Sequence, residues 1–385
     1  MRKRILLISS NSSDRGGGER YLVYLTQGLH LLNYDVHILL STVNYMDGWA
    51  KALTAEGATV HRKNLLGLRN RPLRILQSIT DKKQQLGIAK TCQEIAPTAI
   101  LVNQQYDEDG LDYLAGALMA NVAPVGGTMH MPMTANKHQR PLGQLRGKLL
   151  QRWYQKHPYS LILVSTGSQK EFENYYSHPR PTKVVNYGCP FSALATSHPP
   201  LPSSWEEPLP IIGFSGQFVF QKNLELLVKA WIWTLKQGTQ SRLLLIGDGP
   251  ERNNLEQYLR AYAPENTWHI TGWQEHPEAY LPILDIYAMT SHFEGLPLAL
   301  LEAVGQKLPA VVTNFNGASD VAERATWVSV VTHASPEMFG RALIESIGKL
   351  SWLKHEATKG KQEFQEYFSL KRMASQTLAA LGKLG

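Results

Sequence analysis

Cysteine is nearly absent from this chain of 385 residues: only Cys92 and Cys189 occur. A disulfide-stapled scaffold is therefore excluded, and so is a zinc site built on a cysteine cluster. Long hydrophobic runs are also missing. The longest, such as residues 5–8 and 243–246, are strand-sized, whereas a membrane-spanning helix needs about 20 apolar residues. Residues 1–4 are basic, but the apolar run behind them is too short for a signal peptide. A cytoplasmic location is the expectation. Charged residues make up only 18% of the chain and hydrophobic ones 43%, which excludes a disordered or fibrous protein. The length exceeds one ordinary core and suits two domains.

Acidic residues are scarce in the first half. Residues 1–205 hold 23 Lys and Arg against 13 Asp and Glu, while residues 206–385 hold 16 against 19, so the net charge of +7 is carried unevenly. One basic cluster contains Arg69, Arg71 and Arg74. A second contains Lys137, Arg140, Arg146, Lys148, Arg152 and Lys156 with no acid between them. Leu142, Leu145, Leu149 and Trp153 interleave the second cluster at helical spacing, which predicts a basic amphipathic helix. Such a surface suits an anionic bilayer, where each nearby Lys or Arg contributes about 1 kcal/mol. A solvated basic face over one buried stripe is the alternative. No nucleic acid is expected as partner, because the clusters lack a recognisable reading motif.

Short apolar runs rich in β-formers recur at residues 5–9, 36–40, 99–102, 125–128 and 161–164, separated by segments of helical periodicity. Strands that read apolar throughout are buried on both faces, as in parallel sheets covered by helices. Residues 192–210 then hold five of the 21 prolines, a linker signal. The alternation restarts at 211–215, 242–246, 268–271, 286–289, 310–313 and 327–331. This predicts an α/β chain of two Rossmann-like, doubly wound domains. The expected division is 1–191, a linker at 192–210, a second domain at 211–368, and a terminal helix over 369–385.

Ligands of such sheets sit at the carboxyl ends of the strands, where several glycine turns occur. Gly16, Gly17 and Gly18 follow the first strand and permit close backbone approach to an anion at a helix N-terminus. Gly126-Gly127-Thr128-Met129-His130 ends another strand. Gly216-Gln217 leads to Lys222 just before a helix, a place for a phosphate, although a plain surface lysine is the alternative. Gly247-Asp248-Gly249-Pro250 reads as a well-formed helix start. The run from Ser291 to Ala303 places Glu294 on a loop and Glu302 in an otherwise apolar helix that opens at Pro297. Burying a carboxylate there is costly unless it bonds something. A ribose diol would satisfy it, and the exposed N–H groups of Leu298 and Ala299 would meet a phosphate.

These residues resemble the retaining glycosyltransferases of family GT4, which have the GT-B fold of two Rossmann-like domains facing each other across a cleft. Glu294 and Glu302 match the family's paired glutamates inside its E-G-x-P-x-x-x-x-E-A wording. Gly16-Gly17-Gly18-Glu19-Arg20 is similar to G-G-A-E-R. His130 matches the crevice histidine, Lys222 the phosphate lysine, and residues 369–384 the final helix that returns to the N-terminal domain.

The resemblance implies a nucleotide-sugar donor held mainly by the C-terminal domain and a glycan or lipid-linked acceptor on the N-terminal one. Glu302 would bind the ribose and Glu294 the sugar. Lys222 would neutralise the diphosphate, helped by backbone at Gly17, Gly295 and Leu296 and by Leu298 and Ala299. Gln217, Gly249, Gly272 and Trp273 would line the donor, the last two beside the base. His130 would touch the sugar. The implied catalytic set is Glu294, His130 and Lys222, with no cofactor and no metal. Arg69, Arg71, Arg74, Arg146 and Arg152 would face the acceptor or the membrane, giving peripheral attachment at the cytoplasmic face. Gln217 stands where the family often has Arg, which removes one cation unless another such as Arg15 substitutes. A non-catalytic partner subunit of the same fold and a sugar-nucleotide epimerase are the competing readings.

Overall fold

Two parallel sheets organise the chain, each with central strands that are apolar on both faces. The computed structural model describes residues 2–11, 16–67, 74–133, 142–191, 201–203, 205 and 208–382. Arg15, Arg69, Arg71, Lys137 and Arg140 lie outside the described residues, as do residues 192–200 of the expected linker. Two units emerge: Met1–Pro190 with Phe368–Gly385, and Phe191–Tyr367.

The first unit runs β1 (Arg4–Ser9), α1 (Gly17–Leu31), β2 (Asp35–Ser41), α2 (Asp47–Ala55), β3 (Thr59–Lys63), α3 (Arg74–Thr80), α4 (Lys82–Ile95), β4 (Ala99–Tyr106), α5 (Leu111–Ala120), β5 (Val125–Met131), α6 (Gly143–Lys156), β6 (Ser160–Leu163), α7 (Thr166–Tyr175) and β7 (Lys183–Val184). The sheet order is β3-β2-β1-β4-β5-β6-β7, all parallel. Ile5, Leu6, Leu7 and Ile8 are fully buried in sequence, which is why the run reads apolar instead of alternating. Leu6, Ile8, Ile100 and Val102 join Ile88 and Cys92 of α4, Leu114 of α5, Leu150 and Trp153 of α6 and Phe172 of α7 in one core.

The second unit runs β8 (Ile211–Ser215), α8 (Leu224–Lys236), β9 (Arg242–Ile246), α9 (Arg252–Tyr262), β10 (Trp268–Ile270), β11 (Ile286–Met289), α10 (Leu298–Gly305), β12 (Ala310–Thr313), α11 (Ala318–Ala322), β13 (Val328–Val331), α12 (Pro336–Gly348) and α13 (Leu350–Tyr367). Its sheet order is β10-β9-β8-β11-β12-β13. The chain then re-enters the first unit as α14 (Leu370–Ala380). There a Cβ added at Gly28 of α1 would lie 2.4 Å from the Leu370 carbonyl oxygen and 3.0 Å from the Ala374 Cβ, so a glycine in α1 lets the last helix dock.

Both sheets follow one winding. Each proceeds outward in one direction for three strands and then reverses, so the topological switch point lies between β1 and β4 in the first unit and between β8 and β11 in the second. Loops leaving the carboxyl ends of those strands diverge and leave room for a ligand.

The sequence reading missed β3 and β7. β3 is the polar edge strand Thr-Val-His-Arg-Lys, none of it fully buried, and β7 is two residues long. The stripe expected on the basic helix is corrected. Leu142 and Leu145 are 73% and 53% exposed, whereas Leu150, Trp153 and Tyr154 are buried. The helix starts only after Leu142, which takes a left-handed backbone at φ 57°. Its buried face is set by Tyr154 stacking edge-on against Phe172 at 5.3 Å.

Candidate active site

In the second unit, the loops after β8 and β9 lie backbone to backbone. Gly216 N–H donates to the Ile246 carbonyl at 3.0 Å, Phe218 N–H to the Asp248 carbonyl at 2.9 Å, and Glu251 N–H to the Phe218 carbonyl at 3.0 Å. This approach dictates glycine. Gly247 has φ +141°, and a Cβ there would come within 2.0 Å of the Gly216 carbonyl oxygen; one at Gly249 would sit 2.5 Å from the Phe218 carbonyl oxygen. Gly249 is thus needed for loop packing, a reason independent of any ligand. Gly272 pairs with Gly247 across an isolated bridge. Beside it, Trp273 is 49% exposed. Gln217 is partly exposed in the loop after β8.

The loops that flank the β8–β11 switch point are tied together too. His292 N–H donates to the Gln221 carbonyl at 2.9 Å. Gln221 Nε2 donates to the Phe293 carbonyl at 3.1 Å, and Thr290 Oγ1 to the Asn223 carbonyl at 2.9 Å. A short 3-10 turn, Phe220–Lys222, ends at Asn223 with φ 47°, which aims Lys222 back over the sheet before α8 begins. Lys222 Nζ then meets Glu294 Oε1 at 2.5 Å, with the two side chains 19% and 8% exposed. Ser291 Oγ donates to the same carboxylate oxygen at 3.0 Å. A cation and a carboxylate are therefore poised together at the edge of the sheet, largely out of water.

The α10 helix opens after Pro297 with no side-chain cap, so the N–H groups of Leu298 and Ala299 have no partner within the helix. Gly295 and Leu296 are backed by the loop after β12: a Cβ at Gly317 would lie 2.4 Å from the Gly295 carbonyl oxygen. Glu302 is partly exposed on α10. Tyr287 of β11 lies buried, with its hydroxyl donating to the Ser215 carbonyl at 3.2 Å. Burial raises its phenol pKa, and the charges of Glu302 and Glu294 raise it further. Both glutamates therefore share one electrostatic neighbourhood. Ser291 and Tyr287 were not foreseen as site residues. Ser291 carried a signal, since it stands three residues before the glutamate it contacts.

In the first unit, the glycine turn and His130 form a second cluster. Gly17 is exposed at the start of α1 with open space where a Cβ would be, whereas one at Gly18 would lie 2.6 Å from Gln105 Oε1 and 3.0 Å from the His130 ring. Asn103 Nδ2 donates to the Gly18 carbonyl at 3.1 Å, so its Oδ1 is turned to His130 Nε2 at 2.6 Å and accepts from it. That fixes the imidazole as the Nε2–H form. Nδ1 then accepts from the Tyr187 hydroxyl. His130 is 2% exposed, and burial pushes its pKa down to about 3. It is neutral, with both nitrogens engaged inside its own unit. Asn103 and Tyr187 escaped the sequence reading, because nothing in a single sequence links segments so far apart.

The basic helix is only partly a surface charge array. Arg146 Nε donates to Glu108 Oε1 at 2.8 Å, and its NH2 to Oε2, with the glutamate side chain fully buried. Arg146 is thus committed to the loop after β4. Arg152 and Lys148 instead line an open groove of about 540 Å³ with Tyr175. Arg74 begins α3, and nothing is described of its side chain.

Residues 202–349 match the family described as Glycosyl transferases group 1. Over 153 residues the chain is 30% identical to the amylovoran biosynthesis glycosyltransferase AmsD of Erwinia amylovora, a stretch that is 40% of this chain and 42% of that relative. Over 160 residues it is 26% identical to the lipopolysaccharide core biosynthesis glycosyltransferase LpsE of Rhizobium meliloti, covering 42% and 46%. The chain thus spans less than half the length of these curated relatives. The solved structure of HepE from Anabaena, in complex with UDP and glucose, superposes over 100% of both chains with a TM-score of 0.75 at 17% identity. Two Rossmann-like domains, of seven and six strands among the described residues, together with that superposition give the chain the GT-B fold, and its residues 202–349 match the glycosyl transferases group 1 family.

Proposed function

We propose that the protein is a retaining glycosyltransferase that moves a hexosyl-type sugar from a UDP- or GDP-sugar to a hydroxyl of a glycan or lipid-linked acceptor. The observation that carries this reading is the Lys222–Glu294 pair at the β8–β11 switch point, beside the uncapped start of α10. Breaking a glycosyl–phosphate bond leaves negative charge on the diphosphate and positive charge on the sugar. Lys222 and the N–H groups of Leu298 and Ala299 stabilise the former, and Glu294 holds sugar hydroxyls beside the latter. Fixed charges of this kind favour the transition state over the ground state. The bond from the anomeric carbon to the phosphate oxygen breaks, the bond to the acceptor oxygen forms on the same face, and the acceptor proton passes to the leaving phosphate oxygen. Glu294 is therefore not assigned as a nucleophile. Glu302 takes the ribose and Trp273 lies beside the base. Because Lys222 and backbone dipoles supply the positive charge, the proposed reaction needs no metal and should persist in EDTA.

Names of relatives in amylovoran and lipopolysaccharide core synthesis support a glycan or lipid-linked acceptor. The exposed Leu142 and Leu145 beside Lys148 and Arg152 support attachment to an anionic bilayer. No helix among the described residues is long and apolar enough to cross a membrane. A thermal-shift panel of UDP- and GDP-sugars tests the reading: a ligand at a hundredfold excess over its Kd stabilises by about 2.7 kcal/mol, and a protein that no member of the panel stabilises is not this enzyme.

A further inference from the structure

Residues 290–293, which lead from β11 to Glu294, are each tied to a neighbouring segment. Thr290 Oγ1 donates to the Asn223 carbonyl at 2.9 Å. The Ser291 carbonyl accepts from the hydroxyl of Thr313, the last residue of β12, at 2.7 Å. His292 N–H donates to the Gln221 carbonyl, and its ring packs on that of Phe220 with centroids 4.7 Å apart. The Phe293 carbonyl accepts from Gln221 Nε2. The loop is thus clamped by the end of β12 on one side and by the turn after β8 on the other. β8 and β12 are the two neighbours of β11 in the sheet, so the clamp follows from the winding.

Within that clamp Ser291 and Thr313 are buried, at 3% and 7% exposure. A serine hydroxyl has one hydrogen to give, and Ser291 gives it to Glu294 Oε1 at 3.0 Å. Lys222 Nζ serves the same oxygen. Oε2 takes no hydrogen bond from the described residues, so it is the oxygen left for a ligand. The two donors on Oε1 respond differently to an arriving anion. Lys222 carries its charge on a flexible four-carbon stem and can swing to a diphosphate. Ser291 is short and neutral, and Thr313 holds its backbone, so it stays. Once the lysine has gone, the Ser291 hydroxyl is what keeps the carboxylate pointing in one direction, as a supporting hydrogen bond does for a preorganised contact.

We propose that Ser291 is a positioning residue of the transfer reaction: it holds Glu294 by Oε1 so that Oε2 meets a hydroxyl of the donor sugar after Lys222 has moved to the diphosphate. The proposal rests on the reading of the chain as a glycosyltransferase with Glu294 on the sugar. Isothermal titration calorimetry of the full chain with UDP-glucose, UDP-galactose and GDP-mannose, each beside UDP or GDP alone, tests it. The quantity read is the Kd of the bare nucleotide divided by that of its sugar conjugate. Both ligands draw Lys222 away, so the charge left on Glu294 is common to them and cancels in the ratio. Ser291→Ala should lower the ratio by about tenfold or more, the effect of losing a hydrogen bond to a charged group. Ser291→Thr, which keeps the hydroxyl, should hold it near the wild-type value. In a Glu294→Ala background, Ser291→Ala should lower it no further, because the two residues act as one unit. A ratio that Ser291→Ala leaves unchanged overturns the proposal and spares the glycosyltransferase reading. An equal fall in the Glu294→Ala background also overturns it, since Ser291 would then act through another group. A ratio that Glu294→Ala itself leaves unchanged, or a wild-type protein that binds none of the three conjugates, sinks the reading and the proposal together.

Discussion

Lys222 Nζ donates to Glu294 Oε1 at 2.5 Å although 72 residues separate them in the chain. The sheet reversal between β8 and β11 makes the meeting possible. Under the proposed function, the pair would hold the leaving-group cation and the sugar-binding carboxylate as mutual partners until a donor arrives.

Removing one member of such a pair leaves a buried charge uncompensated, at a cost of about 3–5 kcal/mol. Lys222→Ala should therefore lower the melting temperature of the second unit. Combining it with Glu294→Gln should restore most of that loss. Both proteins should still lose turnover by about 10² to 10³-fold, the effect of deleting one transition-state donor. Differential scanning calorimetry together with a sugar-transfer assay separates the two effects; a double variant that regained activity would assign the pair to stability alone.

Part of this was legible in the sequence. Apolar runs located eleven of the thirteen strands among the described residues, because strands buried on both faces carry unbroken hydrophobic signals. The loop-and-helix unit from Ser291 to Glu302 stood out because it is contiguous. The hydrogen bonds of His130 did not, since Asn103 and Tyr187 lie on other segments. The stripe of α6 was misplaced because spacing alone does not reveal where a helix starts, and Leu142 ends up as its left-handed cap. Trp205 fell inside a proline-rich stretch that read as linker, yet Arg242 holds it on the second unit.

Gly247→Ala should be severely destabilising. The added methyl would come within 2.0 Å of the Gly216 carbonyl oxygen at a backbone angle of +141°. Overpacking against backbone typically costs about 1–3 kcal/mol or more. Chemical denaturation should show a lower midpoint, whereas Gly238→Ala, which meets open space, should lose only its left-handed backbone preference, about 1 kcal/mol. Equal midpoints for the two variants would contradict the described loop contact.

The His130 environment gives a pH dependence of definite sign. Its pKa is about 3 when folded and about 6.5 when unfolded. The unfolded state therefore binds the proton first, and the stability that the neutral ring contributes is complete above pH 6.5 and lost as the pH falls toward 3. Between pH 7 and pH 5 the stability difference between wild type and His130→Asn should shrink by about 2 kcal/mol. Asp109, whose burial raises its carboxyl to about 6, acts in the opposite direction in both proteins and cancels in this difference. A difference independent of pH would mean that the ring is not held neutral.

Attachment to anionic vesicles should depend on the exposed start of α6. Leu142→Ser with Leu145→Ser, and separately Lys148→Ala with Arg152→Ala, should each weaken binding to phosphatidylglycerol vesicles in flotation by about thirtyfold, from about 1 kcal/mol per cation and a similar term per leucine for apolar insertion. Arg146 is excluded from this set because Glu108 holds it. Equal binding to neutral and anionic vesicles would remove charge as the cause.

The most direct measurement is a structure of the protein soaked with the nucleotide-sugar that stabilises it best. Lys222 should have left Glu294 for the diphosphate, with Glu294 on the sugar and Glu302 on the ribose. A donor lodged at any other place, with the Lys222–Glu294 contact intact, contradicts the account.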